Sequence, residues 1–351
     1  MKIALVTDTH FGARNDNQFF SDYFFKFYDE VFFPKIIEEK ITTVIHLGDV
    51  MDRRKYVSYK TATDFRQKFL DRIEELKLDF HIIIGNHDTY YKNTSEVNSM
   101  EELVGNRFKV YIKPEVVKFD DFPILFMPWI NANNYGLSMA ALKTAEATTL
   151  MGHLEICGFA MNAGNMVSME GWEKKHFKRF ETVYSGHFHH KNDDGQIFYL
   201  GTPYEIYWND CDDPKGFHIF DTATREIERI INPFSIFKKI YYDDTEKDYI
   251  KEDVSQYENH YVKLIVVNKK DLYGFDQFVD RLLSADTHEV KIIEDFSEFD
   301  PDNVSDDIVE NTEDTLSLLE KYIDELDIKL SKDRLKNTMK SLYNEAQDLE
   351  L

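Results

Sequence analysis

The feature that most restricts what this chain can become is a repeated junction. A short apolar run rich in β-branched residues stops abruptly at a polar cluster. KIALVT runs into Asp8 and His10 of D-T-H, and TTVIHL into G-D-V-M-D-R at 48–53. DFHIII runs into G-N-H-D at 85–88, ATTLM into Gly152 and His153, and ETVYS into G-H-F-H at 186–189. Near-continuous apolar runs of this length suit strands buried on both faces. Helix-like patterns over 19–39 and 59–76 separate the first three, and FPILFMPW, IFYLGTPY, GFHIFDT and EIERIIN read as further strands, the last two joined by a short turn. The expected fold is α/β, a β-sandwich of mixed sheets flanked by helices.

In such folds ligands gather beyond the carboxyl ends of the strands. Five polar clusters at five strand ends can therefore share one pocket, and glycine beside four of them lets the backbone turn tightly. Carboxylate, imidazole and amide oxygen suit divalent ions such as Mn²⁺, Fe²⁺ or Zn²⁺, and no thiolate takes part. A metal pair ~3.5–4 Å apart is well served by a bridging carboxylate; it activates water for in-line attack at phosphorus and neutralises the phosphate oxygens. Each motif alone is weak, and the joint order of all five carries the inference.

Charge pulls the other way. A net charge of −23 argues against binding nucleic acid by bulk electrostatics. The excess is uneven, however: residues 294–327 hold 14 acids against one lysine, as a solvated linker or partner-facing arm would. No run of 18 apolar residues is present, so no membrane span is expected, and the short N-terminal run suits a first strand better than a signal peptide. Cys157 and Cys211 form no disulfide framework, which suits a reducing cytoplasm.

From about residue 234 the pattern changes to strand, helix, strand in YVKLIVVN, FDQFVDRLLSAD and HEVKIIEDF. The expected organisation is a main domain over 1–233, a small α/β capping domain over 234–298, an acidic linker over 299–311 and a helical segment over 312–351. That last segment carries apolar faces at Leu316, Leu319, Ile323 and Leu326, then at Leu335, Met339, Leu342, Tyr343 and Ala346.

The order of the five motifs resembles the calcineurin-like metallophosphoesterase superfamily over 1–233. GDVMDRRK, GNHDTYYKN, SGHFHH with YLGTPY, and DPKGFHIFD are similar to the SbcD-type DNA double-strand-break repair nucleases, especially their shorter phage recombination-endonuclease branch. The resemblance implies two divalent ions, Mn²⁺ favoured and Mg²⁺, Fe²⁺ or Zn²⁺ permitted. Asp8, His10, Asp49 and His189 would hold the first, and Asp49, Asn86, His153 and His187 the second, with Asp49 as the bridge. His87 matches the histidine that binds no metal and protonates the leaving oxygen or stabilises the phosphate. Asp88 is placed to orient that imidazole and raise its pKa. Asp52 stands where some relatives carry a histidine and is expected to be a supporting carboxylate. The resemblance further implies exonuclease action on DNA ends with single-strand endonuclease activity, a role in recombination and repair, a homodimer, and docking of the C-terminal helices on an SMC-like ATPase. A phage protein of this kind would work in the host bacterial cytoplasm.

Other features have two readings. Arg53, Arg54, Lys55 and Lys60 suit contacts to backbone phosphates or a solvated helix start. Tyr90, Tyr91 and Lys92 could stack on an end base or simply pack. His46 and His81 lie inside strand patterns and read as core, while His176, His218, His260 and His288 read as surface or half-buried bystanders. If 187–190 is extended, His187 and His189 share a face and His190 points away. A small-molecule phosphoesterase would share all five motifs, but would not need an extension beyond Pro233. A scaffold without activity fits poorly with a complete set of candidate ligands.

Overall fold

The computed structural model describes residues 1–161, 167–294 and the single position Lys332. The expected linker over 299–311 and the helical segment over 312–351, Lys332 apart, lie outside the described residues. Met1–Glu294 forms one compact unit.

Strands β1 (Lys2–Val6), β2 (Thr43–His46), β3 (Asp79–Ile83) and β4 (Lys109–Tyr111) lie parallel in one sheet. The chain then builds a second sheet from β5 (Glu115–Phe119), β6 (Phe122–Met127), β7 (Thr149–His153), β8 (Thr182–Gly186), β9 (Asn192–Asp193) and β10 (Ile197–Tyr199). Its order is β5-β6-β7-β8-β10-β9, with β6, β7 and β8 parallel. A hairpin of β11 (Gly216–Asp221) and β12 (Ile227–Ile231) returns to pair antiparallel with β1, completing a six-stranded first sheet, β12-β11-β1-β2-β3-β4. The mixed α/β sandwich expected from the sequence is the observed fold.

Alternation explains why the strand runs are apolar throughout. Ile3, Leu5, Ile45 and Ile83 join Ile124, Phe126, Met151 and Tyr184 in a core between the two sheets. The intervening Ala4, Val6, Val44, Phe80 and Ile82 face a helical layer instead. Both faces are covered, so apolar residues dominate each. The helical layer begins with Gln18–Phe27, continues through one widened turn at Tyr28–Phe32, and ends with Phe33–Glu38. Asn17 caps it by accepting from the Phe19 and Phe20 N–H groups at 2.9 and 3.4 Å. Phe24 of this helix stacks on Tyr204 with ring centroids 3.9 Å apart. A second run, Tyr59–Asp64 through Asp71–Glu75, starts at Ser58, whose hydroxyl caps Thr61 N–H at 3.1 Å.

A third sheet carries its own core. Strands β13 (Phe237–Asp243), β14 (Tyr261–Asn268) and β15 (Glu289–Ile293) are parallel, and the helix Leu272–Leu283 packs Phe275, Phe278 and Leu282 against Ile240, Tyr242, Val262 and Leu264. Here β13 was not anticipated, because FKKIYYD interrupts its apolar residues with lysines. His218 also departs from expectation. It is 3% exposed, because its strand β11 is interior to the sheet, flanked by β1 and β12. Burial, with the Arg229 charge nearby, pushes its imidazole down to about 3.

Candidate metal centre

The carboxyl ends of β1, β2, β3, β7 and β8 meet at one edge of the sandwich. The loops after β1 and β2 run side by side: Asp8 N–H donates to Gly48 O at 3.0 Å and His10 N–H to Asp49 O at 3.2 Å. Four residues here have left-handed backbone, Asp8 (φ 51°), His10 (φ 43°), Asp49 (φ 54°) and His187 (φ 91°). For residues other than glycine each such conformation costs roughly 1–3 kcal/mol, and it persists only where surrounding bonds enforce it. Those bonds are present. The Asp8 carboxylate accepts from His187 N–H at 3.0 and 3.1 Å and from the Thr7 hydroxyl at 2.6 Å. Asp49 Oδ1 accepts His87 N–H at 2.7 Å. Glycine serves two purposes in this region. Gly48 has φ +100°, whereas Gly85 is needed for close approach, since a Cβ there would lie 2.2 Å from Asp49 Oδ1.

Two groups of donor atoms result, each within a 4.8 Å span: Asp8, His10 and His189, and Asp49, His153 and His187. Asn86 joins the second group, its Oδ1 lying 2.9 Å from His153 Nε2 and 3.0 Å from His187 Nδ1. His10 and His189 face each other, Nε2 to Nε2, at 3.1 Å. Asp49 Oδ2 stands between the groups, 3.2 Å from His153 Nε2 and 4.0 Å from His10 Nε2. His153 Nδ1 donates to Leu47 O at 2.8 Å, which turns Nε2 toward the centre. The structure thus brings together all seven residues singled out as candidate ligands.

The electrostatics describe a site short of positive charge. Burial alone would strip the proton from His10, but Asp52, Asp49 and Asp8 outweigh it and hold the ring up to about 9. His153 is likewise buried and likewise held up to about 9 by Asp49 and Asp8. Burial pushes His187 down to about 3, with His153 adding to the effect. His189 is driven well below its usual range by burial and by His10. In a buried cluster of carboxylates, two imidazolium rings supply compensation that divalent cations would supply better. The donor set of carboxylate, imidazole and amide oxygen fits such ions.

Several residues stand differently from expectation. Asp88 does not orient His87. Its carboxylate accepts four backbone N–H bonds, from Asp49 (2.9 Å), Val50 (2.9 Å), Met51 (3.2 Å) and Gly85 (2.9 Å), and so ties the β2 and β3 loops together. His87 instead donates from Nδ1 to the main-chain oxygen of Asp52 at 2.5 Å. The Asp52 carboxylate lies 3.5 Å from His10 Nδ1. Nor is 187–190 extended: β8 ends at Gly186 and the chain turns at His187. His190 pairs through Nδ1 with Asp213 at 3.1 Å. Arg53 bonds to Asn15 and, at 3.3 Å, to Asp16, and lies over the Tyr56 ring. Arg54 is half-buried, whereas Lys55, Tyr90, Tyr91 and Lys92 are exposed.

Two residues near the centre were missed. Lys215 is buried between Asp210 (2.6 Å) and Asp213 (2.8 Å) and donates to the His189 main-chain oxygen at 3.0 Å, pinning the loop that carries His189. It lies in DPKGFHIFD, a stretch noted only for its resemblance. Trp129 places its ring 5.2 Å from that of His187, and a lone tryptophan after a strand carries no motif.

The chain matches the calcineurin-like phosphoesterases over residues 1–289 and belongs to that family. It is therefore a metal-dependent phosphoesterase, of a family whose members bind two divalent ions. Among its relatives, Exonuclease subunit 1 of Enterobacteria phage T4 is 31% identical over 328 residues, 92% of each chain. Among solved structures, an archaeal phosphodiesterase overlaps 66% of this chain and 100% of its own at 16% identity, with a TM-score of 0.35. A protein of unknown function from Aquifex aeolicus overlaps 43% and 77% at 15% identity, with a TM-score of 0.26. Among the described residues no helix is long and apolar enough to cross a membrane.

Two outcomes are expected. Asp88→Ala leaves four buried N–H groups without their acceptor and should lower stability to urea by roughly 3–5 kcal/mol; a loss below about 1 kcal/mol would remove it as the tie between the loops. Divalent-ion affinity should rise with pH up to about 9, because cation binding must displace protons from His10 and His153, whose rings are held up to about 9. Calorimetry in buffers of different ionisation heat should register those protons; affinity and heat independent of pH and buffer would contradict it.

Proposed function

We propose that this chain is a two-metal DNA nuclease acting exonucleolytically on DNA ends, with single-strand endonuclease activity. The observation that carries the reading is the Asp49 carboxylate standing between two donor groups, 3.2 Å from His153 and 4.0 Å from His10. In this reading Asp8, His10, Asp49 and His189 hold one ion, and Asp49, Asn86, His153 and His187 the other, with Mn²⁺ favoured. Bound there, the pair supplies Lewis-acid polarisation of the phosphate and activation of water.

The chain's own groups supply the rest. His87 donates Nδ1–H to Asp52 O, which leaves Nε2 as the nitrogen that carries a proton to the departing 3′ oxygen. Its half-buried ring, 5.0 Å from that of His10, sits beside the centre without belonging to either donor group. Asp88 and Asp52 act by holding the loops and rings in place. Arg53, Arg54, Lys55, Tyr90, Tyr91 and Lys92 follow the second and third motifs and are read as contacts for the DNA strand.

The phage T4 relative supports nucleic acid as the substrate class, being named an exonuclease, and supports a multi-chain assembly, being named a subunit. We read residues 234–298 as a cap beside the nuclease domain and 312–351 as the segment that docks on an SMC-like ATPase. The working form is read as a homodimer engaged in recombination and repair in the cytoplasm.

The purified chain with Mn²⁺ should degrade linear duplex DNA, and EDTA should abolish the activity; turnover of small phosphodiesters alone would overturn the DNA assignment. His87→Ala should keep two ions per chain by elemental analysis while cleavage falls about 10²–10⁴-fold. A lost ion would make His87 a ligand instead.

A further inference from the structure

Trp129 follows β6, and its backbone N–H donates to Ile84 O at 2.8 Å, two residues before Asn86. Trp129 is half-buried, and its ring neighbours are both histidines of the second donor group, His187 at 5.2 Å and His153 at 6.2 Å. Its mount is stiff. Asn134 Nδ2 donates to Trp129 O at 2.9 Å, Asn131 N–H donates to Asn134 Oδ1 at 2.9 Å, and Asn131 Nδ2 reaches Ser95 Oγ at 2.8 Å. Asn131 and Asn134 are buried, so the loop is welded to the 94–98 loop rather than left to solvent. An aromatic ring held this way can bind a flat partner with little ordering cost.

The same loop continues to Tyr135, half-exposed, whose ring stacks on Trp172 at 5.8 Å. Trp172 N–H donates to Glu155 O at 2.8 Å, two residues past His153. Trp129 is thus tied to the chain just before Asn86, and the Tyr135–Trp172 pair to the chain just past His153. They address a difficulty set by composition. A chain of net charge −23 has little counterion release to offer a polyanion. Stacking does not draw on charge and tolerates any base.

We propose that the Trp129 indole, beside His187, is a stacking site for an unpaired nucleobase flanking the phosphate to be cleaved, with the Tyr135–Trp172 pair continuing the strand's path. The proposal rests on the nuclease reading and deepens it. A base inside a duplex has no free face to offer, so a nucleotide beside an internal bond must leave the stack before it is held, at a few kcal/mol for each base. Single strands and frayed ends would therefore be held in preference to closed duplex.

The test compares wild type, Trp129→Leu and Trp129→Phe, each with Mn²⁺. The substrates are single-stranded oligonucleotides that carry either a base or an abasic residue beside the cleaved bond. For wild type the abasic residue should raise KM about 10-fold. Trp129→Leu should raise KM about 10-fold on the intact strand and show no further rise on the abasic one, with kcat changed far less. Trp129→Phe should recover most of the loss, and all three should hold two ions. An unchanged KM, losses that simply add, or a missing ion would overturn the stacking role; the last two would leave Trp129 as a packing residue for His187. Wild type that cleaves no DNA would overturn the nuclease reading and this inference with it. Wild type that cleaves DNA while Trp129→Leu behaves identically would overturn this inference alone.

Discussion

Three carboxylates, Asp8, Asp49 and Asp88, are buried in one small volume, and the rest of the centre is arranged around answering that charge. A buried carboxylate without partners is too costly to keep ionised. Asp88 is answered by four backbone N–H groups, Asp8 by the His187 N–H and the Thr7 hydroxyl, and Asp49 by the His87 N–H and the His153 ring. Each set of bonds fixes a loop. The left-handed conformations of Asp8, His10, Asp49 and His187 follow from this, because only a sharply turned backbone aims both a side chain and a peptide N–H into one space.

The sandwich makes the convergence possible. Parallel strands bring their carboxyl ends to one edge of a sheet, and the two sheets set β1, β2 and β3 against β7 and β8 across a shared core. Because both faces of the first sheet are covered, its strands have no solvent-facing side on which to meet a substrate, and the chemistry collects where the strands stop. Lys215 extends the logic one layer down. A buried ammonium between Asp210 and Asp213 is satisfied only with a third acceptor, and the one it finds is the main-chain oxygen of His189.

The same physics separates what could be read from the amino-acid order from what could not. Strand ends were legible because an apolar run buried on both faces has a composition of its own, and the fold class followed from how those runs alternate with helical patterns. Strand β13 was not legible, because its lysines break the pattern. Asp88 was misread because adjacency in sequence says nothing of direction: next to His87, it points the other way, into the turn of the β2 loop. The histidine tract at 187–190 was grouped by an alternation that holds only in extended chain, and His187 at φ 91° is not extended. Trp129 and Lys215 act through packing across distant loops, and single residues of that kind leave no periodic trace.

The acidity of the chain and its proposed substrate are reconciled locally. Net charge is a statement about the far field, which decays within about a Debye length of ~8 Å at physiological ionic strength. At the centre the relevant charges are the nearby ones. There the carboxylates hold His10 and His153 up to about 9, so the cluster draws in positive charge. Two divalent charges held among Asp8 and Asp49 would reverse the local sign and turn the same cluster into a seat for phosphate. In a chain of net charge −23, part of the recognition is then left to whatever can be gripped without charge. Beside the second donor group the half-buried Trp129 ring is a group of that kind.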